Sequence, residues 1–214
     1  MKQDKQAKEG WVHQVASNLE PTLRKLRFRK SGKTKFKRTL NGCECRYLIS
    51  IRHPRYSTDQ HQLYINPCIH VFYQELEEAH CKLVGKPFNR DFPTLGGSLG
   101  LYKEGGNSEE WPIDSRESAT ALIGHLEEDI SMVAMPFWEA LATRSKMLEA
   151  IEGGQKWAKR SDSWKYVHVI LIYVERGIDN AMQFVAENPK KFREFSEETL
   201  KYKLLNLQAF KDKI

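Results

Sequence analysis

Cys43-Glu44-Cys45-Arg46-Tyr47-Leu48-Ile49-Ser50-Ile51-Arg52 is the stretch whose reading decides the fold. Apolar and polar residues exchange along most of it with a period of two. That is the pattern of a strand with one face buried, because successive side chains point to opposite sides. Asn41-Gly42 stands immediately before it, and both residues tolerate positive φ, so the pair predicts a hairpin turn. Upstream, Leu26–Lys30 and Thr34–Arg38 alternate in the same way around a turn at Ser31-Gly32-Lys33. Downstream, His53-Pro54 ends the strand and an apolar run follows at Gln62–Phe72, in which Pro67 implies a bulge or an edge. Together these runs predict a four-stranded antiparallel meander.

Helical periodicity flanks the meander. Val12, Ala16, Leu19, Leu23 and Leu26 form one stripe over residues 8–26, with Pro21 either kinking the helix or opening a second one. Gln74–Val84 reads as a short helix closed by Gly85. The Gly- and Pro-rich stretch 85–114 leaves room for strands at Ser98–Lys103 and Glu110–Ile113. Asp114 or Ser115 caps the next helix, with Glu117 placed for a capping box. This helix is expected to run from about 116 to 152, with a kink at Pro136 and a stop at Gly153-Gly154. Trp164–Asn188, breaking near Gly177, and Glu197–Phe210 complete the chain. Strands segregated from helices define an α+β class. The expected architecture is an N-terminal helix, a meander of four to six strands, a long kinked helix, and C-terminal helices packed on the core. The expected domains are an α+β core over 1–155 and a helical extension over 156–214.

The chain has 214 residues, of which 40% are hydrophobic, enough for a substantial core without disulfide or metal staples. Its longest apolar run, Val167–Val174, is far short of the ~20 residues that span a bilayer. The charged start Met1-Lys2-Gln3-Asp4-Lys5 has no apolar leader core, so a cytoplasmic protein with reduced Cys43, Cys45, Cys68 and Cys81 is expected, without a membrane partner. The net charge of +6 is concentrated at one end. Residues 1–40 hold twelve Lys/Arg against three Asp/Glu, which points to an acidic partner there.

Catalytic signatures are missing. Leu95-Gly96-Gly97-Ser98-Leu99-Gly100 fits neither a P-loop nor a dinucleotide fingerprint. No CxxC or HExxH is present, and His80 and Cys81, as adjacent residues, are expected to point apart. The available donors His53, His61, His70, His80 and Cys81 therefore suggest no metal site, and no cofactor is expected. A GxSxG elbow is absent, and Glu127-Glu128-Asp129 reads as a solvated helix face. The strongest lead is basic: Arg27, Arg29, Lys30, Lys33, Lys35, Lys37 and Arg38 on a hairpin, where Arg27 and Arg29 share one face, Lys35 and Lys37 share a face, and Phe28 and Phe36 point the other way. Such a ribbon can follow a phosphate backbone, or it can guard an edge strand from aggregation. Trp157, Trp164, Tyr166, Tyr173 and Phe184 supply aromatic core or a peptide groove.

Leu19-Glu20-Pro21-Thr22-Leu23-Arg24-Lys25-Leu26-Arg27-Phe28-Arg29-Lys30, followed by Lys35-Phe36-Lys37-Arg38 and the strand Arg46–Arg52, resembles the bacterial domain of unknown function 4304 family. The resemblance covers mainly residues 10–72. It implies a helix, a basic strand, a meander and C-terminal helices, and no catalytic residue. Here Leu26-Arg27-Phe28 departs from the glycine-phenylalanine pair usual in that family. The functional expectation is a non-enzymatic binding protein, of bacterial immunity or defence type, acting through a protein partner. Its alternative is nucleic-acid binding through residues 27–38.

Overall fold

The structure is a computed structural model that describes residues 2–52, 63–106, 109–155 and 164–208, with side chains from residue 9 onward. Expectations on His53, Pro54, His61, Trp157 and Phe210 lie outside the described residues. The fold is α+β, with a six-stranded antiparallel open sheet. The chain forms two compact units. One comprises Met1–Leu40, Glu44–His70 and Gly96–Glu139, and the other Asn41–Cys43, Val71–Leu95 and Ala140–Ile214.

The first unit opens with helix α1 (Lys2–Lys25), which continues through Pro21 without dividing. Pro21 therefore does not open a second helix. Ser17 and Pro21 both face outward, so the carbonyl deprived of its amide partner can be hydrated. Val12, Val15, Ala16, Leu19 and Leu23 form the buried stripe. The helix ends in a Schellman arrangement: Phe28 N–H donates to Leu23 O (2.9 Å) and Arg27 N–H to Arg24 O (2.9 Å). Arg27 takes the left-handed position, with φ +65°.

Strands β1 (Arg29–Lys30), β2 (Lys35–Leu40), β3 (Cys43–Arg52) and β4 (Leu63–Phe72) follow in spatial order. Asn41 and Gly42 turn β2 into β3 with φ of +48° and +91°, as their side chains favour. Along β3 and β4 the inner residues Cys43, Cys45, Tyr47, Ile49, Leu63, Ile65 and Ile69 are buried, and the alternate residues from Glu44 to Ser50 and from Tyr64 to His70 are half-buried. Strands β5 (Leu95–Ser98) and β6 (Trp111–Ile113) share the far edge of β4. Leu63 stands opposite Ile113, and Ile65 opposite Trp111. Val71 O accepts from Thr94 N–H, so the odd-numbered amides of β4 face this edge. The missing N–H of Pro67 therefore falls there and leaves the β3–β4 ladder intact.

The strand expected at Ser98–Lys103 lies three residues earlier. Leu99–Tyr102 instead forms a 3₁₀ turn, which buries Leu99 and Gly100. Helix α3 (Arg116–Asp129) starts at Ser115, whose side chain accepts from Ser118 N–H. The capping box is closed by Ser118, not Glu117. α3 passes through a π-helical turn, Ile130–Ala134, into α4 (Met135–Ala140). The long helix thus ends at Ala140 rather than near 152, and its irregularity lies in the widened turn just before Pro136. α1 packs along α3, where Thr22 bonds Glu127 and Gln14 bonds Thr120 (3.0 Å). Trp138 is fully buried, its ring 4.7 Å from Phe28, and its indole N–H donates to His70 O (3.1 Å).

In the second unit, α2 (Gln74–Val84) packs against α6 (Trp164–Arg176) and α8 (Glu197–Leu205). Thr143 caps the separate helix α5 (Arg144–Glu152) by accepting from Lys146 N–H. Gly177, at φ +91°, separates α6 from α7 (Ile178–Glu187) at the expected position. Arg176 clasps Glu152 through two 2.7 Å bonds, and Lys203 Nζ donates to Leu83 O (2.9 Å) near the end of α2.

Candidate functional site

Antiparallel pairing sorts the basic hairpin. Arg29 stands opposite Lys37, so both project from one face of the sheet, joined by Lys35 through the two-residue alternation. Lys30 stands opposite Phe36 and faces the other way. Its ammonium lies 5.9 Å from the Phe36 ring and 3.2 Å from Glu20. Hydrogen bonds from Lys30 and then Arg24 hold the Glu20 carboxyl below its ordinary range. Arg38 is turned inward. Its guanidinium lies 5.0 Å from Phe28 and 5.7 Å from Trp138, donates to Leu26 O (3.1 Å), and leaves Nε buried without a partner. Phe28 and Phe36 are buried on this inner side. Five of the seven sequence candidates therefore remain for an outer surface: Arg27, Arg29, Lys33, Lys35 and Lys37, all exposed.

The adjacent strand extends that face with residues the sequence reading did not select. Glu44 on β3 bonds Lys37 (3.2 Å) and Arg46 (2.7 Å). Burial pushes the Glu44 carboxyl up, but the bonds from Arg46 and Lys37 outweigh it and leave the group below the usual range. His70 on β4 feels the same cations. Burial, then the charges of Arg46 and Lys35, depress its imidazole to about 4, and its Nδ1 is buried without a hydrogen-bond partner. The face is therefore cationic, with one internally neutralised carboxylate. Arg27, Arg29, Lys33 and Lys35 have no carboxylate within 4 Å among the described residues. Arg46 was legible as the alternation partner of Cys45 and Tyr47. His70 was not, because its surroundings depend on strand pairing.

A second cluster lies on α2, in the other unit. Glu77, His80 and Cys81 occupy positions i, i+3 and i+4, and one donor atom from each lies within 4.8 Å of the other two. Adjacent residues on a helix do diverge by about 100°. Glu77, one turn earlier, stands between them, so the expectation that His80 and Cys81 point apart is corrected. His80 Nδ1 is 2.9 Å from Glu77 Oε1, and Cys81 Sγ is 3.9 Å from the same oxygen. Burial, then the charge of Glu77, pushes the Cys81 thiol up, opposite to what a nucleophilic cysteine requires.

A cleft of about 420 Å³ is lined by Asn41, Tyr73, Glu75, Thr143, Arg144, Ser145 and Glu175. Its polar groups are largely spent on one another, with Glu175 bonded to Ser145 (3.3 Å) and 3.7 Å from Arg144. The aromatic residues Trp164, Tyr166 and Phe184 form edge and tilted contacts with His168, Phe192 and Phe195. They are packing elements of the second unit.

No protein-family model, curated protein or solved structure matches this chain. The reading of both clusters rests on their geometry. No helix among the described residues is long and apolar enough to cross a membrane.

Proposed function

We propose that this protein is a non-enzymatic nucleic-acid-binding protein that engages the phosphate backbone through the outer face of the β1–β2 hairpin. The observation that carries the reading is the register. Arg29 opposite Lys37, with Lys35 beside them, puts cations on one exposed face, while Lys30, which is exposed but paired with Glu20, and the half-buried Arg38 lie on the other. Surface cations with carboxylate partners gain little from a phosphate. Arg27, Arg29, Lys33 and Lys35 lack such partners among the described residues and are available to displace condensed counterions. Arg27 adds a further support. An arginine held at φ +65° carries strain that a glycine would not, and strained non-glycine residues concentrate at working surfaces.

Binding should depend steeply on salt. Four phosphate contacts correspond to a log–log slope of about −3 for single strands. Anisotropy titrations with labelled single-stranded DNA, duplex DNA and structured RNA between ~50 and ~200 mM salt measure that slope. The combined substitution Arg27→Ser, Arg29→Ser, Lys33→Ser and Lys35→Ser should abolish most of the affinity and flatten the slope. Unchanged binding by this variant would overturn the reading. Absence of binding by the unaltered chain at ~50 mM salt would also overturn it, and would favour the protein partner expected of an immunity-type component.

A further inference from the structure

We propose that Glu77, His80 and Cys81 form a binding site for a zinc-class divalent transition metal on α2. The inference is independent of the nucleic-acid reading, since the two residue sets lie in different units.

Helix geometry assembles the donors. Positions i, i+3 and i+4 share one face, so a carboxylate, an imidazole and a thiol converge without any loop being shaped for them. All three residues are buried, Glu77 to 4% exposure, His80 to 9% and Cys81 to 8%. Their closest separations, 2.9 Å from Nδ1 to Oε1 and 3.9 Å from Sγ to Oε1, bracket the spacing of about 3.3–3.7 Å that tetrahedral ligands adopt around a metal at ~2.0–2.3 Å.

Two further observations favour an ion over a plain hydrogen-bonded cluster. Glu77 Oε2 is buried and has no hydrogen-bond partner, although Oε1 is engaged by both neighbours. A buried carboxylate oxygen without a partner is costly, and a metal ion on this side chain would satisfy it. His80 stacks on Tyr166, with centroids 5.8 Å apart, which restricts the rotation of the imidazole that would bind the ion.

Donor chemistry selects the metal. A thiolate and an imidazole exclude magnesium and calcium and suit zinc or cobalt. On binding, the Cys81 S–H proton leaves to solvent as the S–metal bond forms, with no change of oxidation state. Thiolate and carboxylate then cancel the +2 charge, so the occupied site is neutral. Three protein donors leave a fourth position for water, and among the described residues no fourth His, Cys, Asp or Glu joins the group.

The full-length chain titrated with Co²⁺ should bind one ion per chain and show a thiolate-to-cobalt charge-transfer band. Zn²⁺ should compete for the same site. X-ray absorption of the zinc-loaded, unaltered chain should show one sulfur with nitrogen and oxygen neighbours. Cys81→Ser and His80→Gln should each weaken Co²⁺ at least about a hundredfold, the upper end of what loss of a mere outer-shell partner does. Cys68→Ser should leave the affinity unchanged. A sulfur-free shell in the unaltered chain would overturn the proposal even if the variants misfold, and so would tight binding retained by a folded Cys81→Ser chain. The hairpin variant that tests nucleic-acid binding should bind Co²⁺ normally, so the two readings fail separately.

Discussion

Arg27 closes α1 in a conformation that suits glycine, with φ +65°. Left-handed backbone costs a non-glycine residue about 1–2 kcal/mol. Glycine would relieve that cost, offset in part by about 0.5–1 kcal/mol of extra chain entropy. Arg27→Gly should therefore stabilise the protein by roughly 0.5–1 kcal/mol, read as a higher denaturation midpoint at unchanged slope. The same change should weaken nucleic-acid binding, because the arginine is an exposed cation of the proposed surface. Gly96 presents the opposite case. A Cβ there would lie 2.4 Å from His70 Cδ2 and 2.5 Å from Ile69 O, at a φ of +151°. Gly96→Ala should push β5 off β4 and destabilise by about 1–3 kcal/mol, the usual cost of overpacking. His70 itself carries a pH signature. Its imidazole falls from an ordinary 6.5 to about 4 through burial, then Arg46 and Lys35, so the unfolded chain binds the extra proton between those values. The stabilisation is complete above pH ~6.5 and is lost as pH falls towards 4, up to about 3 kcal/mol. Denaturation of the unaltered chain and of His70→Gln across this window should show a slope in the first that is reduced in the second.

Elements whose boundaries are set by their own side chains were legible in sequence. Asn41-Gly42 turns where the dipeptide says it must, β3 alternates as written, β4 lies within the expected apolar run, and Gly177 breaks the helix at its expected position. The errors arose where neighbours decide. Leu99 and Gly100 are buried in a 3₁₀ turn rather than a strand, and the π turn at Ile130–Ala134 has no local sequence signal beyond the nearby Pro136. Alternation in the sequence puts Lys35 and Lys37 on one face of their strand and Arg38 on the other, and the register adds that Arg29 shares the face of Lys37 and Lys30 that of Phe36. The spacing of Glu77, His80 and Cys81 is readable in the sequence, but the adjacency of His80 and Cys81 hides it, because the two converge only on a residue one turn earlier. α3 offers a direct test at this scale. Ser115 accepts from Ser118 N–H (3.1 Å), and Ser118 Oγ accepts from Ser115 N–H (3.2 Å). Ser115→Ala should cost about 1 kcal/mol, and Ser115→Asp, which preserves a capping acceptor, should recover most of it. Equal losses for both variants, measured by urea denaturation, would mean that the cap contributes little.

Across the whole molecule, the path of the chain limits where it can be cut. Residue 155 lies between helices by sequence, yet the second unit draws on Asn41–Cys43 and Val71–Leu95 as well as on Ala140–Ile214. Within that unit α2 packs against α6 and α8, and Leu76, Ala79 and Leu83 are fully buried. α6 buries an unbroken run from Val167 to Tyr173, so it is a central helix of that unit. A chain ending at residue 155 loses both α6 and α8. Exposing Leu76 and Leu83 alone costs about 1.5–3 kcal/mol each, a large part of a typical total stability of about 5–15 kcal/mol. The truncated chain should therefore lose order in its second unit first. Hydrogen exchange should show the amides of α2 and α5 becoming fast while those of α1 and β3 stay slow, because all segments of the first unit end by Glu139. Protection of α2 equal to that in the full chain would mean that α6 and α8 are dispensable to it. Uniform loss of protection, in α1 and β3 as well, would mean that the two units fold only as one cooperative whole.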